Sequence, residues 1–105
     1  MVILGAMNAI SADTFGKNKM QGKRIADGEW PENQGEYSKH KTDQGIIWFC
    51  RPPHPGISIG SLSAHTVVEH EDGTITVSPS IFFNMDHPDH PRWHGYLEHG
   101  IWREC

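Results

Sequence analysis

Residues 65–78 read HTVVEHEDGTITVS, and this stretch indicates a β-hairpin. Two runs rich in β-branched residues, HTVVEH and TITVS, flank the turn residues EDG. Gly73 stands where a tight hairpin turn needs a residue that adopts positive φ. The pattern therefore predicts two antiparallel strands joined by a turn at residues 71–73.

The sequence on either side of this hairpin predicts further short strands. The apolar run IIWFC at 46–50 is typical of a buried strand, and the prolines of RPPHPG at 51–56 exclude regular structure there. SPSIFF at 78–83 predicts a strand after Pro79, and WHGYLEHGIWRE at 93–104 a second hairpin with EHG at its turn. The sequence predicts a mainly β domain with roughly five to seven short antiparallel strands and Pro-rich loops.

Residues 1–44 are expected to form an N-terminal extension, and residues 45–105 the small β domain. Ser11 and Asp13 are candidate caps for a short helix within residues 11–30, which glycines interrupt. The polar segment PENQGEYSKHKTDQG at 31–45 predicts a loop. A chain of 105 residues fits one domain with a thin core, which a metal ion or an oligomer interface often stabilises.

Charge and cysteine content argue against two classes of protein, nucleic-acid-binding proteins and disulfide-rich secreted proteins. The net charge is −4, and the part from residue 45 onward has three arginines against seven acids, which argues against nucleic-acid binding. Two cysteines, Cys50 and Cys105, are too few for a disulfide framework, so a reduced cytoplasmic protein is the simpler interpretation. MVILGAMNAI at 1–10 is too short for a membrane span, which leaves a protein partner or a homo-oligomer to be considered.

Two Pro-stiffened loops hold the residues that are candidates for metal chemistry. CRPPHPG contains Cys50 and His54, and HPRWH contains His90 and His94. One thiolate and three imidazoles are donors that zinc accepts in a tetrahedral shell, and structural sites usually take two ligands from each of two loops. The four residues therefore form a candidate zinc site, although its spacing differs from that of a tight zinc knuckle.

Two other interpretations of the same residues stay open. In a metal-dependent hydrolase, three protein ligands and one water molecule would coordinate the metal ion, and Glu98 would act as a base. In a metal-free binding module, histidines and tryptophans would form a surface for a protein or a small ligand. Trp48 is assigned to the core, whereas Trp30 is left open between core and surface. His87 and His99 are assigned to a loop and a turn, without a ligand role.

Residues 46–103 resemble a family of small proteins of unassigned function found in bacteriophages and prophages. The specific part of the resemblance is TVSPSI at 76–81 followed by WHGYLEHG at 93–100. The resemblance implies a Cys/His knuckle that binds zinc, in which Cys50, His54 and His94 match family positions. The family cysteine before the last histidine is absent here, and His90 is its candidate substitute. The implied function is a zinc-stabilised phage module that binds a host or phage macromolecule inside the host cell.

The zinc hypothesis predicts stoichiometric zinc in the purified untagged protein and a large drop in melting temperature after chelation. His94→Ala should then unfold the domain, because a structural metal contributes its binding free energy to folding. Elemental analysis and thermal denaturation with and without chelator measure both effects. A catalytic metal would instead leave the fold intact after chelation, and a metal-free protein would show an unchanged melting temperature.

Overall fold

The computed structural model describes residues 19–84 and 89–105, and these residues contain ten strands and no helix. The strands are β1 (Lys19–Gln21), β2 (Lys23–Arg24), β3 (Glu36–Thr42), β4 (Gly45–Cys50), β5 (Gly60–Ser61), β6 (Thr66–Glu69), β7 (Ile75–Ser78), β8 (Ile81–Phe83), β9 (Trp93–Glu98) and β10 (Ile101–Glu104). No helix long and apolar enough to cross a membrane occurs in this part of the chain. The predicted mainly β fold is confirmed.

The strands form two four-stranded sheets and one hairpin. The central sheet has the order β2-β3-β4-β5, and the C-terminal sheet has the order β1-β10-β9-β8. Strands β6 and β7 pair with each other as a separate two-stranded unit. All pairs are antiparallel except β2 and β3, which run parallel over two residues.

The strands predicted between residues 45 and 105 occur where the sequence pattern places them. The hairpin β6–β7 turns at Gly73, whose φ is 89°, and the hairpin β9–β10 turns at His99 and Gly100. The apolar run at 46–50 is β4, and the segment after Pro79 is β8. Residues 51–59 contain no strand, as the prolines require.

The loop predicted for residues 31–45 is wrong, because residues 36–42 form β3, which pairs with β4 over six positions. The polar composition misled the prediction, since Tyr37 is the only apolar residue in β3. Its neighbours Ser38 and His40 are buried by contacts made elsewhere in the chain. The expected boundary at residue 45 falls in the turn of the β3–β4 hairpin, and residues 19–44 contribute β1, β2 and β3.

The sequence allows a short helix within residues 11–30, and the first part of this segment, residues 11–18, lies outside the described residues. Residues 19–24 form β1 and β2 instead of helix. Between them, Gly22 donates its N–H to the carbonyl of Gly100 at 2.7 Å. A Cβ at position 22 would lie 3.0 Å from Nε1 of Trp102, so only glycine allows this close approach. Pairing with β10 therefore overrides the weak helical pattern.

One hydrophobic core joins the two sheets and the β6–β7 hairpin. Its buried members are Tyr37, Trp48, Cys50, Ile57, Leu62, Ile75, Val77, Ile81, Trp93, Leu97 and Trp102. Trp48 is buried, as the sequence predicts for it. Both sheets contribute residues to this core, as do the loops that follow β4 and β5. Each sheet therefore covers the apolar face of the other.

Trp102 is a large core side chain that connects the C-terminal sheet to the central sheet. Its indole ring is fully buried and packs edge-on against Trp93, with ring centroids 5.3 Å apart. Its Nε1–H donates to the carbonyl of Gly35 at 2.9 Å, and this carbonyl also accepts from the N–H of Lys23. The bond connects the C-terminal sheet to the segment that enters β3.

Replacing Trp102 by Phe removes this N–H donor and leaves a cavity where the larger ring was. We expect Trp102→Phe to lower the free energy of unfolding by about 1–3 kcal/mol, measured by chemical denaturation. Trp30→Phe is the matched control, because Trp30 is 53% exposed and should change stability by about 0.5 kcal/mol or less. Equal losses in the two variants would contradict the linking role of Trp102.

Candidate functional site

Cys50, the only thiol among the predicted zinc ligands, lies in the hydrophobic core. Its side chain is fully buried, and burial raises the pKa of the thiol to about 12. Zinc binds the thiolate, so binding zinc would require this buried thiol to lose its proton. The structure therefore places Cys50 as a packing residue of β4.

The three predicted histidine ligands occupy different environments. His54 donates from Nδ1 to the carbonyl of Pro55 at 2.7 Å, and His90 is exposed in the loop before β9. His94, on β9, stacks on Phe82 with ring centroids 3.9 Å apart, and its Nε2 lies 3.0 Å from the hydroxyl of Ser80. Local bonds thus orient His54 and His94 separately.

Residues 19–84 and 89–105 contain no group of three or more His, Cys, Asp or Glu side chains that could hold a metal ion. Cys50, His54, His90 and His94 all belong to these ranges, so the structure does not assemble them into the expected shell. The hydrolase hypothesis depends on the same residues as ligands. Zinc binding stays a prediction that metal analysis of the protein tests.

Cys105 is a neighbour of His94 that the sequence interpretation passed over. Its exposed Sγ lies 3.8 Å from Nε2 of His94, across the β9–β10 pair. Of the two histidines assigned no ligand role, His87 lies outside the described residues. His99 lies in the β9–β10 turn with φ of 48° and stacks on His70 at 3.8 Å.

Three rings form an aromatic surface on the outer face of the central sheet. Trp30 lies 4.2 Å from His40 and 4.9 Å from Phe49, measured between ring centroids, and His40 lies 4.9 Å from Phe49. We call these three residues the Trp30 cluster. The indole of Trp30 is 53% exposed, although the rings beneath it hold it in place.

Buried hydrogen bonds fix the base of the Trp30 cluster. The carbonyl of Glu29 accepts from the hydroxyl of Ser38 and from Nε2–H of His40, the latter at 2.9 Å. Because a carbonyl only accepts, Nε2 is the protonated nitrogen of His40. These bonds hold the segment before Trp30 against β3, so the exposed indole has a set orientation.

A second group of polar residues surrounds Arg24 on the core side of the central sheet. The guanidinium donates to Glu69 at 2.7 Å, to the carbonyl of Gly73 at 2.9 Å and to Asp27 at 3.1 Å. Lys39 also donates to Glu69, at 3.0 Å. The hydrogen bond from Arg24, followed by that from Lys39, holds the pKa of Glu69 below its ordinary value.

Arg24 therefore already has anionic and carbonyl partners, and it also lies 5.0 Å above the ring of Trp48. An adjacent cleft of about 510 Å³ is lined by residues of both charges, among them Lys23, Asp27 and Asp72. This arrangement joins the β6–β7 hairpin to the central sheet. It offers no concentration of positive charge for an anionic ligand.

Comparison of the chain with protein-family models, with curated proteins and with solved structures finds no match. Sequence reasoning missed the Trp30 cluster because His40 was assigned to a loop. The alternation of Ser38, His40 and Thr42 along one face of β3 is the signal that could have indicated it.

The two thiols should differ sharply in reactivity. At about pH 8, a thiol reagent should label exposed Cys105 in the native protein and reach Cys50 only after denaturation, since burial keeps Cys50 protonated. Counting labelled thiols by mass spectrometry measures this, and Cys105→Ser is the control for site assignment. If chelator alone exposed Cys50 to the reagent, the assignment of Cys50 to the core would be wrong and a metal role would gain support.

Proposed function

We propose that this protein is a metal-independent binding module that recognises a protein partner through the Trp30 cluster. The observation that carries the proposal is the half-exposed, pre-oriented indole of Trp30. Exposed tryptophan is uncommon because burying the ring would gain much apolar contact area. A partner that covers Trp30 would supply that contact.

Pre-orientation is the physical advantage of the Trp30 cluster. Binding usually loses free energy when a flexible side chain is immobilised, and a ring already held by its neighbours loses less. Tryptophan is also enriched among the residues that dominate protein–protein binding energy. His40 beneath it is 8% exposed and hydrogen-bonded, so the surface does not need to rearrange.

The charges near the cluster favour a protein over a nucleic acid. Glu29 and Glu32 flank Trp30 in sequence and are not buried, and the chain carries a net charge of −4. A phosphate backbone would be repelled by this balance, and Arg24 is occupied by acidic partners. An aromatic platform beside carboxylates suits a partner with apolar and basic side chains.

A second exposed aromatic ring was weighed for the same role. Phe82 is exposed and stacks on His94, whereas Trp30 contacts His40 with its ring tilted by 34°. Trp30 is preferred because its indole combines a large apolar face with an N–H donor and because two rings support it rather than one. Phe82 therefore serves as the internal control.

The zinc-stabilised phage module remains an alternative to this proposal. It rests on the resemblance of residues 46–103 to the phage and prophage family, which also supports a role in binding a host or phage macromolecule inside the host cell. The binding role is common to both proposals. They differ in whether zinc is needed, since the described residues do not assemble a ligand set.

Titration with indole and 4-methylphenol, followed by NMR chemical shifts of the full chain, tests the proposed surface. These probes mimic the Trp and Tyr side chains that partners place at interface hot spots. We expect the largest shifts at Trp30 Nε1–H, His40 and Phe49, unchanged by chelator. Trp30→Ala should weaken the apparent affinity of the probes, measured from the shifts at His40 and Phe49, by at least about tenfold.

Phe82→Ala is the matched control and should leave those shifts as in the wild type. Probe binding that centres on Phe82 and survives Trp30→Ala would place the recognition surface elsewhere. Loss of binding on chelation would favour the zinc-stabilised module. Circular dichroism of each variant verifies that the fold is retained.

A further inference from the structure

We propose that the open edge of β4 binds an extended peptide of the partner by strand addition, with one peptide side chain in the groove beside it. This inference rests on the proposed function and names the form of the partner. Strand addition uses main-chain hydrogen bonds for affinity and pockets beside the strand for specificity.

The edge of β4 is paired along only part of its length. Its ladder with β5 consists of two pairs, Phe49 with Ser61 and Cys50 with Gly60, whereas β4 begins at Gly45. Within residues 19–84 and 89–105, no strand pairs with residues 45–47 on this side, whereas Trp48 C=O already accepts from Leu62 N–H. Unpaired strand edges are templates for another strand, and this one carries neither proline nor a charged side chain.

The hydrogen bonds around β4 show which backbone groups face this edge. Arg51 N–H donates to Glu36 across the β3–β4 pair, and Trp48 C=O accepts from Leu62 N–H on the opposite side. Bonded directions alternate along an antiparallel strand, so Ile46 points its N–H and C=O to the same side as Trp48 C=O. Both groups of Ile46 are therefore directed away from β3, toward the open edge.

A groove of about 290 Å³ runs beside these backbone groups. Its apolar lining includes Ile46, Trp48, Leu62 and Val67, and His65 adds a polar group. Ile46 is 55% exposed, so this lining is accessible at the end where the edge is open. A groove of this size accepts an apolar side chain of an added strand.

His65 carries an unused hydrogen-bond acceptor in this lining. Its Nε2–H donates to the carbonyl of Ser80 at 3.0 Å, which leaves Nδ1 as the acceptor of the neutral ring. Nδ1 is buried, and no described group donates to it. Unpaired buried polar atoms are uncommon because they lose their hydrogen bond to water. In the unbound chain Nδ1 has almost no solvent-accessible surface, so a peptide in the groove would reach it only after the His65 ring turns.

The Trp30 cluster and the β4 edge are neighbouring parts of one surface. Ile47 pairs with His40, and Phe49 belongs to the cluster, so both side chains project from the outer face of the central sheet. Side chains of an added strand alternate between the two faces of the sheet. Alternate residues of the peptide would therefore face the cluster and the groove.

The short open stretch favours a peptide over a second copy of this chain. Only residues 45–47 are open on this edge, and such a short contact buries far less area than a stable dimer interface needs. A linear peptide can engage the edge, the groove and the Trp30 cluster together. The occupant is thus an extended segment with apolar side chains at alternate positions.

The test uses short random linear peptides, displayed on phage and selected on the immobilised full chain, and the synthetic peptide that binds best. We expect Ile46→Pro to weaken its binding by about tenfold or more, because proline removes the edge N–H. Hydrogen exchange of the Ile46 amide should slow by about tenfold when the peptide saturates the wild type.

Lys41→Pro is the matched control. Lys41 pairs with Ile46 at a non-hydrogen-bonded position, so this variant removes the equivalent N–H from the opposite edge of the same hairpin. It should bind the peptide as the wild type does. Thermal denaturation verifies both variants, and slowed exchange at Ile46 in the wild type does not depend on either variant folding.

Each other outcome overturns the inference in a distinct way. A peptide could bind through Trp30 without slowing exchange at Ile46 and without losing affinity for Ile46→Pro. This outcome would refute strand addition and leave the proposed function standing. Failure to select any peptide would refute a linear peptide partner, while the indole titration still tests the cluster. A concentration-dependent dimer abolished by Ile46→Pro would assign the edge to a second copy.

Discussion

The hydrogen bond from Trp102 Nε1 to the carbonyl of Gly35 is the contact on which the architecture depends. It crosses the core and joins two residues that lie 67 positions apart in sequence. Gly35 can occupy this point because its φ of 90° suits glycine, and its N–H donates to the carbonyl of Arg51. The N–H and C=O of this one residue therefore connect the entry to β3 with the exit from β4 and with Trp102. The two ends of the central hairpin are set by the position of a single indole.

This constraint determines where the recognition surface lies. With Trp48 and Cys50 directed into the core, the alternate residues Ile47 and Phe49 must face outward. His40 faces the same way because it pairs with Ile47. The segment before β3 then covers part of that face and places Trp30 on top. The same alternation directs the backbone groups of Ile46 to the open edge. Surface and edge are thus consequences of how the core side of β4 is packed.

The histidines illustrate how imidazole rings can serve local structure through hydrogen bonds. His54, His65 and His94 each bond to a nearby backbone or hydroxyl oxygen, and His40 bonds to the carbonyl of Glu29. An imidazole that is already hydrogen-bonded contributes to local structure without any metal ion. In a small domain with a thin core, such bonds stabilise loops that lack regular structure. The abundance of histidine is therefore compatible with a fold that needs no zinc.

The sequence by itself determined the strands whose signals are local. The β6–β7 and β9–β10 hairpins, the buried strand at IIWFC and the strand after Pro79 follow from β-branched runs, glycine turns and proline, which act within a few residues. Only the tertiary structure decided that polar residues 36–42 form β3, that Cys50 is buried in the core, and that Trp30 joins His40 and Phe49. These features depend on contacts between residues distant in sequence, whose convergence no local pattern encodes.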